Sequence, residues 1–188
     1  METMPAIRTF AKPGNDTVTV QIPKTAYHGG TEAVTAPEIR DRLHAPDFGK
    51  GFYTTASEEQ AVRWAKRVRL VRKAEKAVVT AYDISGIASY GLTVKSFDGV
   101  SEEWFDAVIA CRQGTDVFAG CDVVVGPVAN DNVYQTIRFF ETGVYSKGEA
   151  MRRLLAERLF NQIVFKTTAS LDCCRYVSHK VVETGGAA

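Results

Sequence analysis

Apolar and polar positions alternate with period two in several short stretches of this chain and recur at helical spacing in others. Val18 to Ile22 alternates and predicts a strand, which Pro23 interrupts. Thr25-Ala26-Tyr27-His28-Gly29-Gly30 reads as a short strand running into a glycine pair. Pro37 suits the first position of a helix, with Glu38 to Leu43 as one or two turns of it. Phe52 to Thr55 is aromatic and β-branched, so it reads as a strand. From Ser57 the period becomes helical. Ser57 is the cap, Glu58, Glu59 and Gln60 fill the first turn, and Ala61, Val62, Trp64, Ala65 and Val68 fall at helical spacing. Ala77 to Ile84 is a strand, and Leu92 to Phe97 is another. Ser101 caps a helix whose Trp104, Phe105, Val108 and Ile109 make one face. Asp122 to Val125 is a buried strand ended by Gly126-Pro127. Asn130 caps a helix with Val133, Tyr134, Ile137 and Phe140 on one side, and Gly143 ends it. Ser146 to Phe160 is a further helix, with Met151, Leu154, Leu155 and Leu159 inward. Asn161 to Phe165 then reads as a strand, and Leu171 to Val182 as a short turn and a last strand.

About seven strands and five helices in irregular order predict an α+β domain. Residues 1–16, ending in Pro13-Gly14-Asn15, read as a flexible leader. Residues 17–188 read as a single domain with no repeat or linker.

Composition narrows the function classes more than the fold. The 188 residues suffice for one real core, and 45% of them are hydrophobic. A net charge of +1 gives no global field toward nucleic acid or an anionic surface. Charge is concentrated in one place. The helix after Ser57 carries Arg63, Lys66, Arg67, Arg69, Arg72, Lys73 and Lys76 against Glu75. That is either a solvated face or a field that draws a phosphate-bearing ligand or a nucleic acid. No apolar run approaches a membrane span. No charged segment leads into an apolar stretch at the start of the chain. The expected location is the cytoplasm, with no membrane partner and with export by a route that reads no such signal left open. Cys111, Cys121, Cys173 and Cys174 form no Cys-x-x-Cys pair and read as reduced thiols. His28, His44 and His179 lack metal-ligand spacing, so no metal is expected.

Candidate chemistry centres on Asp47-Phe48-Gly49-Lys50-Gly51-Phe52-Tyr53-Thr54-Thr55. Two glycines one residue apart allow close backbone approaches that side chains forbid. A glycine turn, a strand carrying Tyr53 and a capped helix carrying Trp64 make either a ligand-binding corner or a tight turn before a core strand. Gly29 and Gly30 leave the backbone beside His28 open to a ligand. Gln162 opens a strand, at the rim of a sheet, where sites are often built.

In their order and spacing these pieces resemble the ADP-ribosyltransferase superfamily, on the side related to diphtheria toxin and the poly-ADP-ribose polymerases. That superfamily carries a His-Tyr-Glu triad on three separated segments. Tyr27-His28-Gly29 matches the first, and Gly49-Lys50-Gly51-Phe52-Tyr53 with Trp64 matches the second. Asn161-Gln162-Ile163-Val164-Phe165 matches the third, with Gln in place of Glu. More closely, Tyr-His-Gly, Asp-Phe-Gly-Lys-Gly-Phe-Tyr, Gly-Pro-Val-Ala-Asn-Asp and Asn-Gln-Ile-Val-Phe are similar to a small bacterial subfamily. The likeness covers roughly residues 25 to 177.

The resemblance implies a split pair of sheets with flanking helices, and NAD as substrate in the cleft between them. It implies that His28 bonds the adenosine ribose and that the Gly29 backbone pairs with the nicotinamide carboxamide. Tyr53 would stack on the nicotinamide, Trp64 would close its other face, and Tyr27 and Thr54 would flank the cofactor. Ala61 falls where the polymerases have a serine that bonds the carboxamide, so one hydrogen bond is missing. Gln162 keeps the hydrogen bond of the usual glutamate but loses its charge, and it is no general base. Residue 160 is Phe, which argues against arginine as the acceptor. Asp131 is either a first-turn helix carboxylate or a second acid. Asp47 is read as orienting Lys50 or the glycine turn.

The implied function is a mono-ADP-ribosyltransferase, with a toxin or effector role and a macromolecular acceptor, protein or nucleic acid. The alternatives are an NAD glycohydrolase and a silent nucleotide- or partner-binding module. An antitoxin or immunity protein is an expected partner of a toxin.

Overall fold

The computed structural model describes residues 6–11, 17–39, 46–127, 131–156 and 159–183, with side chains from residue 20 onward except 131–132. β1 (Ala6–Ala11) and β2 (Thr17–Ile22) pair antiparallel as a two-stranded sheet, from Ala6 opposite Ile22 to Ala11 opposite Thr17. The expected flexible leader therefore contains a strand. Its alternating pattern is six residues long, and it gains backbone partners only by pairing with β2.

The other strands form one sheet in the order β6-β7-β8-β4-β3-β5-β9. They are β3 (Thr25–Gly30), β4 (Phe52–Thr55), β5 (Ala77–Asp83), β6 (Val94–Ser96), β7 (Val123–Pro127), β8 (Asn161–Phe165) and β9 (Arg175–Val182). Neighbours run antiparallel except the parallel pair β6 and β7. With five helices among them, the class is α+β. In place of the expected split pair of sheets, these seven strands are hydrogen-bonded into one sheet, with its thinnest junction between β3 and β4. β4 pairs with β8 at four positions, but β3 pairs with β4 only at Tyr27 opposite Thr55.

Alternation sorts the side chains onto two faces. One face holds Phe52, Tyr82, Ile163 and Phe165 against Val20, Ile22 and Ile84. The other carries the helices. α1 (Glu58–Arg72) lies on Val79 and Tyr27 through Ala61 and Ala65. α2 (Glu102–Arg112), α3 (Asp131–Glu141) and α4 (Lys147–Leu155) cover Val124 and Val164 with Trp104, Phe105, Val108, Val133, Ile137 and Leu154. Of the caps read from sequence, Ser57 and Ser101 are in place, and Ser146, read only as the start of its helix, is a third. Ser57, Ser101 and Ser146 accept the N–H groups of Gln60, Trp104 and Glu149. Lys73 closes α1 in the left-handed conformation, at φ 52°.

Three predicted helices differ. Pro37 to Ile39 is not helical, and residues 40–45, with His44, lie outside the described residues. The helix expected over 146–160 ends at Leu155, whose side chain is exposed rather than inward. Ala156 caps it, and Leu159-Phe160 lead into β8. The Asn130 cap lies outside the described residues, and Tyr134 on α3 points outward. A single 3-10 turn at Ile87–Tyr90 and the short α5 (Thr168–Leu171) carry no period long enough to be predicted. All four cysteines are free and buried.

Candidate functional site

β4 lies between the other two strands that bear candidate residues. His28 is on β3, Tyr53 on β4 and Gln162 on β8, so three segments far apart in sequence become neighbours. Tyr27, Thr55, Gln162 and Gly126 form one transverse row. Within it Tyr27 and Gln162 are two strands, about 10 Å, apart.

At the Tyr27–Thr55 pair the two halves of the sheet meet. Among the described residues no other β3–β4 register pair exists. A side chain bridges the two strands. His28 Nδ1 lies 2.8 Å from the Tyr53 carbonyl oxygen, and the imidazole stacks on Phe52 at 4.8 Å. A carbonyl only accepts, so Nδ1 carries the proton, and in the neutral ring the lone pair is on Nε2. Tyr53 is held from its far end. Its hydroxyl donates to the Gly49 carbonyl at 2.7 Å and accepts from the Phe48 N–H at 3.1 Å. The glycine turn thus fixes the Tyr53 ring at the lip of the opening. Gly49 has φ 71°, and Lys166 Nζ bonds the Phe48 carbonyl beneath it.

The β4–β8 junction is closed. The Thr54 hydroxyl donates to the Ile163 carbonyl at 2.8 Å, and the Thr55 hydroxyl is bonded to Gln60 and to the Asn161 carbonyl. Thr54, expected beside the cofactor, is turned to the face opposite Tyr53 and serves as a strand fastener. Gln162 is 4% exposed. Its Nε2 donates to the Pro127 carbonyl at 3.2 Å and lies 3.5 Å from Asp47 Oδ2. Asp47 Oδ1 accepts from Arg112 Nε at 3.1 Å and Nη2 at 2.7 Å. That ion pair is buried, with side-chain exposures of 11% for Asp47 and 10% for Arg112. The Arg112 guanidinium also lies 4.9 Å over the Tyr134 ring.

The remaining expected residues fall around these two junctions. Gly29 faces α1, where an added Cβ would stand 2.3 Å from the Ala61 carbonyl oxygen. The glycine is thus demanded by the helix as well as by any ligand at its backbone. Tyr27 shares that face and lines a cavity of about 320 Å³ with Glu58, His179 and Lys180. Burial, then the Glu58 carboxylate, push its phenol up, with Lys180 opposing. The cavity does not include His28, Tyr53 or Gln162. Trp64 on α1 is 44% exposed, with the Arg67 guanidinium 5.8 Å over its ring. Asp131 opens α3, and its side chain lies outside the described residues.

By alternation the His28 ring leaves β3 toward Phe52, while Gln162 leaves β8 toward Val164 and the helices. The two side chains thus lie on opposite faces of the sheet. Such a site offers an imidazole, an aromatic lip and a buried amide acceptor.

Sequence reasoning missed Arg112 and the contact of Asp47 with Gln162. Asp47 was seen only as a neighbour of the glycine turn. Arg112 was hidden at the end of a helix, where a cation is ordinary. The one sequence signal was an acid preceding a glycine turn. Among the described residues no group of His, Cys, Asp and Glu is placed to hold a metal ion, and no helix is long and apolar enough to cross a membrane.

A family model described as a protein of unknown function (DUF3990) matches residues 25–176. No curated protein and no solved structure matches the chain. The match takes in all three strands of the candidate site and most of the chain, and the chain belongs to the DUF3990 family.

Proposed function

We propose that this DUF3990-family protein binds NAD at the opening between β3 and β4, with an ADP-ribosyltransferase type of fold, and transfers a single ADP-ribose to a macromolecule. The observation that carries the reading is that β3 and β4 share a single register pair, beside which His28 Nδ1 meets the Tyr53 carbonyl, with Gln162 on the next strand. It brings the three motif segments to one opening in the sheet.

The reaction breaks the bond between the ribose C1′ and the nicotinamide nitrogen. The bonding pair leaves with the ring and neutralises it, and positive charge develops on the ribose. Catalysis therefore consists of holding both ends of NAD and favouring that charge. His28 bonds the adenosine ribose and fixes one end. Gly29 meets the carboxamide through its backbone, with Tyr53 and Trp64 around the ring. Gln162 accepts a hydroxyl of the nicotinamide ribose through Oε1. The acceptor nucleophile attacks C1′ and loses its proton to solvent or to its own surroundings, because an amide takes none. That favours single transfer over polymer synthesis. The cationic face of α1 beside Trp64 suits an acceptor rich in phosphate.

The test incubates the protein with labelled NAD and total cell lysate. Free nicotinamide is followed with label on protein and on nucleic acid. The expected result is nicotinamide release with label on one macromolecular class, abolished in His28→Ala and lowered at least about tenfold in Gln162→Ala. Release without transferred label would make the protein an NAD glycohydrolase. No release, with NAD still raising the melting temperature, would make it a binding module. A protein that neither releases nicotinamide nor is stabilised by NAD contradicts the reading.

A further inference from the structure

Gln162 stands where the resemblance leads one to expect a carboxylate, yet a carboxylate stands beside it. Asp47 Oδ2 and the Pro127 carbonyl oxygen are the two groups that meet Gln162 Nε2, at 3.5 Å and 3.2 Å. Both are acceptors only. The amide therefore has one workable orientation, with nitrogen toward Asp47 and Pro127 and Oε1 turned away from them. With Oε1 toward these two oxygens, three acceptors would face one another in a buried site.

We propose that the buried Asp47–Arg112 pair is the positioning device of this site, locking the Gln162 amide so that its oxygen is offered to a hydroxyl-bearing ligand. The proposal rests on the NAD reading above, and it narrows the group at this point to a hydrogen-bond donor such as a sugar hydroxyl. A phosphate or a ligand carbonyl would meet only another acceptor.

Three features point this way. A buried ion pair adds little stability over an apolar pair of the same size, so its presence asks for another reason. Arg112 grips Asp47 through Oδ1 with two nitrogens, which leaves Oδ2 as the oxygen directed at Gln162. Arg112 is itself fixed, under the Tyr134 ring. Asp47 precedes the glycine turn that holds the Tyr53 hydroxyl, so one short segment sets both the aromatic lip and the amide.

The arrangement also accounts for glutamine at 162. A glutamate there would turn an oxygen to the Pro127 carbonyl and the Asp47 carboxylate, where the amide now turns its nitrogen. Gln162→Glu is therefore expected to lower activity, although it creates the residue usual in the superfamily the chain resembles.

The experiment compares NAD cleavage by the wild type, Asp47→Asn, Gln162→Ala, Asp47→Asn/Gln162→Ala and Gln162→Glu. Asp47→Asn keeps an oxygen for Arg112 but offers an amide that lets Gln162 turn either way. The expected result is a loss of at least about tenfold in kcat/KM for each single variant, the size of one lost charge-assisted hydrogen bond. The double variant is expected to match Gln162→Ala within about threefold, because a residue that acts through Gln162 has nothing left to position. A merely structural Asp47 would cost the same factor in both backgrounds, and that result overturns the proposal. So does a Gln162→Glu variant as active as the wild type or more so.

Melting temperatures without ligand give a second reading of the same contact. Gln162→Glu is expected to melt about 5 °C or more below the wild type. A variant that melts at or above the wild type overturns the contact. A wild-type protein that neither cleaves NAD nor is stabilised by it overturns the reading of the site instead, and the melting comparison alone then decides the Asp47–Gln162 contact.

Discussion

β4 has two neighbours, and it is joined to them in opposite ways. Toward β8 it is sealed by four register pairs, two threonine hydroxyls and a buried amide that continues the row. Toward β3 it touches at one pair and is then bridged by an imidazole instead of a backbone group. The same strand is thus a structural seam on one edge and an opening on the other. Edge-to-edge pairing is the default of a sheet. An unpaired stretch inside one, flanked by glycines and aromatics, is where a ligand can reach backbone. The closed side carries the hydroxyl bonds and the buried Gln162 amide, while the β3 side carries the imidazole bridge.

Substitutions on the two sides should separate accordingly. The largest expected effect is Asp47→Ala on the closed side. It strands the Arg112 charge in a buried site and should lower unfolding free energy by about 3 kcal/mol in urea denaturation. Next comes Gly29→Ala, about 2 kcal/mol by the same measurement. Its Cβ meets the Ala61 carbonyl oxygen at 2.3 Å, and backbone cannot step aside as a flexible side chain does. Gly30→Ala one residue on has its nearest neighbour at 3.5 Å, an ordinary contact, so it should cost under about 1 kcal/mol. If Gly30→Ala proves as costly as Gly29→Ala, the close approach to α1 is not what fixes glycine at 29. Thr54→Val should cost about 1 kcal/mol, since it leaves the Ile163 carbonyl without its hydroxyl donor.

The smallest effect lies away from both junctions. Asp83 is held down to about 2 by the Ser85 side-chain and backbone hydrogen bonds, then by Arg175. Its folded value is below the unfolded value of about 4. The stability it contributes is present above that value and is lost as pH falls toward 2. Asp83→Asn should flatten only that acid limb of the stability profile. Because Asp83 is largely exposed, the change should shrink in high salt.

What the sequence made legible was local. Ser57, Ser101 and Ser146 announced their helices because a cap and its N–H partner are three residues apart. Phe52 to Thr55 and Asn161 to Phe165 announced strands through β-branched and aromatic runs. That β4 and β8 are neighbours is not legible in any local pattern, because their partners are far apart in sequence. β1 was illegible because six alternating residues look like a frayed end until β2 is beside them. Leu155 was misjudged inward because helical spacing was extended past the point where the chain turns into β8. Arg112 escaped because its partner Asp47 is 65 residues away, and only the folded chain brings them together.

The most direct measurement is amide hydrogen exchange, residue by residue, with and without saturating NAD. An NAD site between β3 and β4 predicts new protection at Tyr53 and at whichever of Gly29 and Gly30 turns its N–H toward β4, with Ile163 to Phe165 on the closed seam unchanged. Unchanged exchange at Gly29 and Gly30, or protection confined to the cavity beside Tyr27 and Lys180, would contradict it.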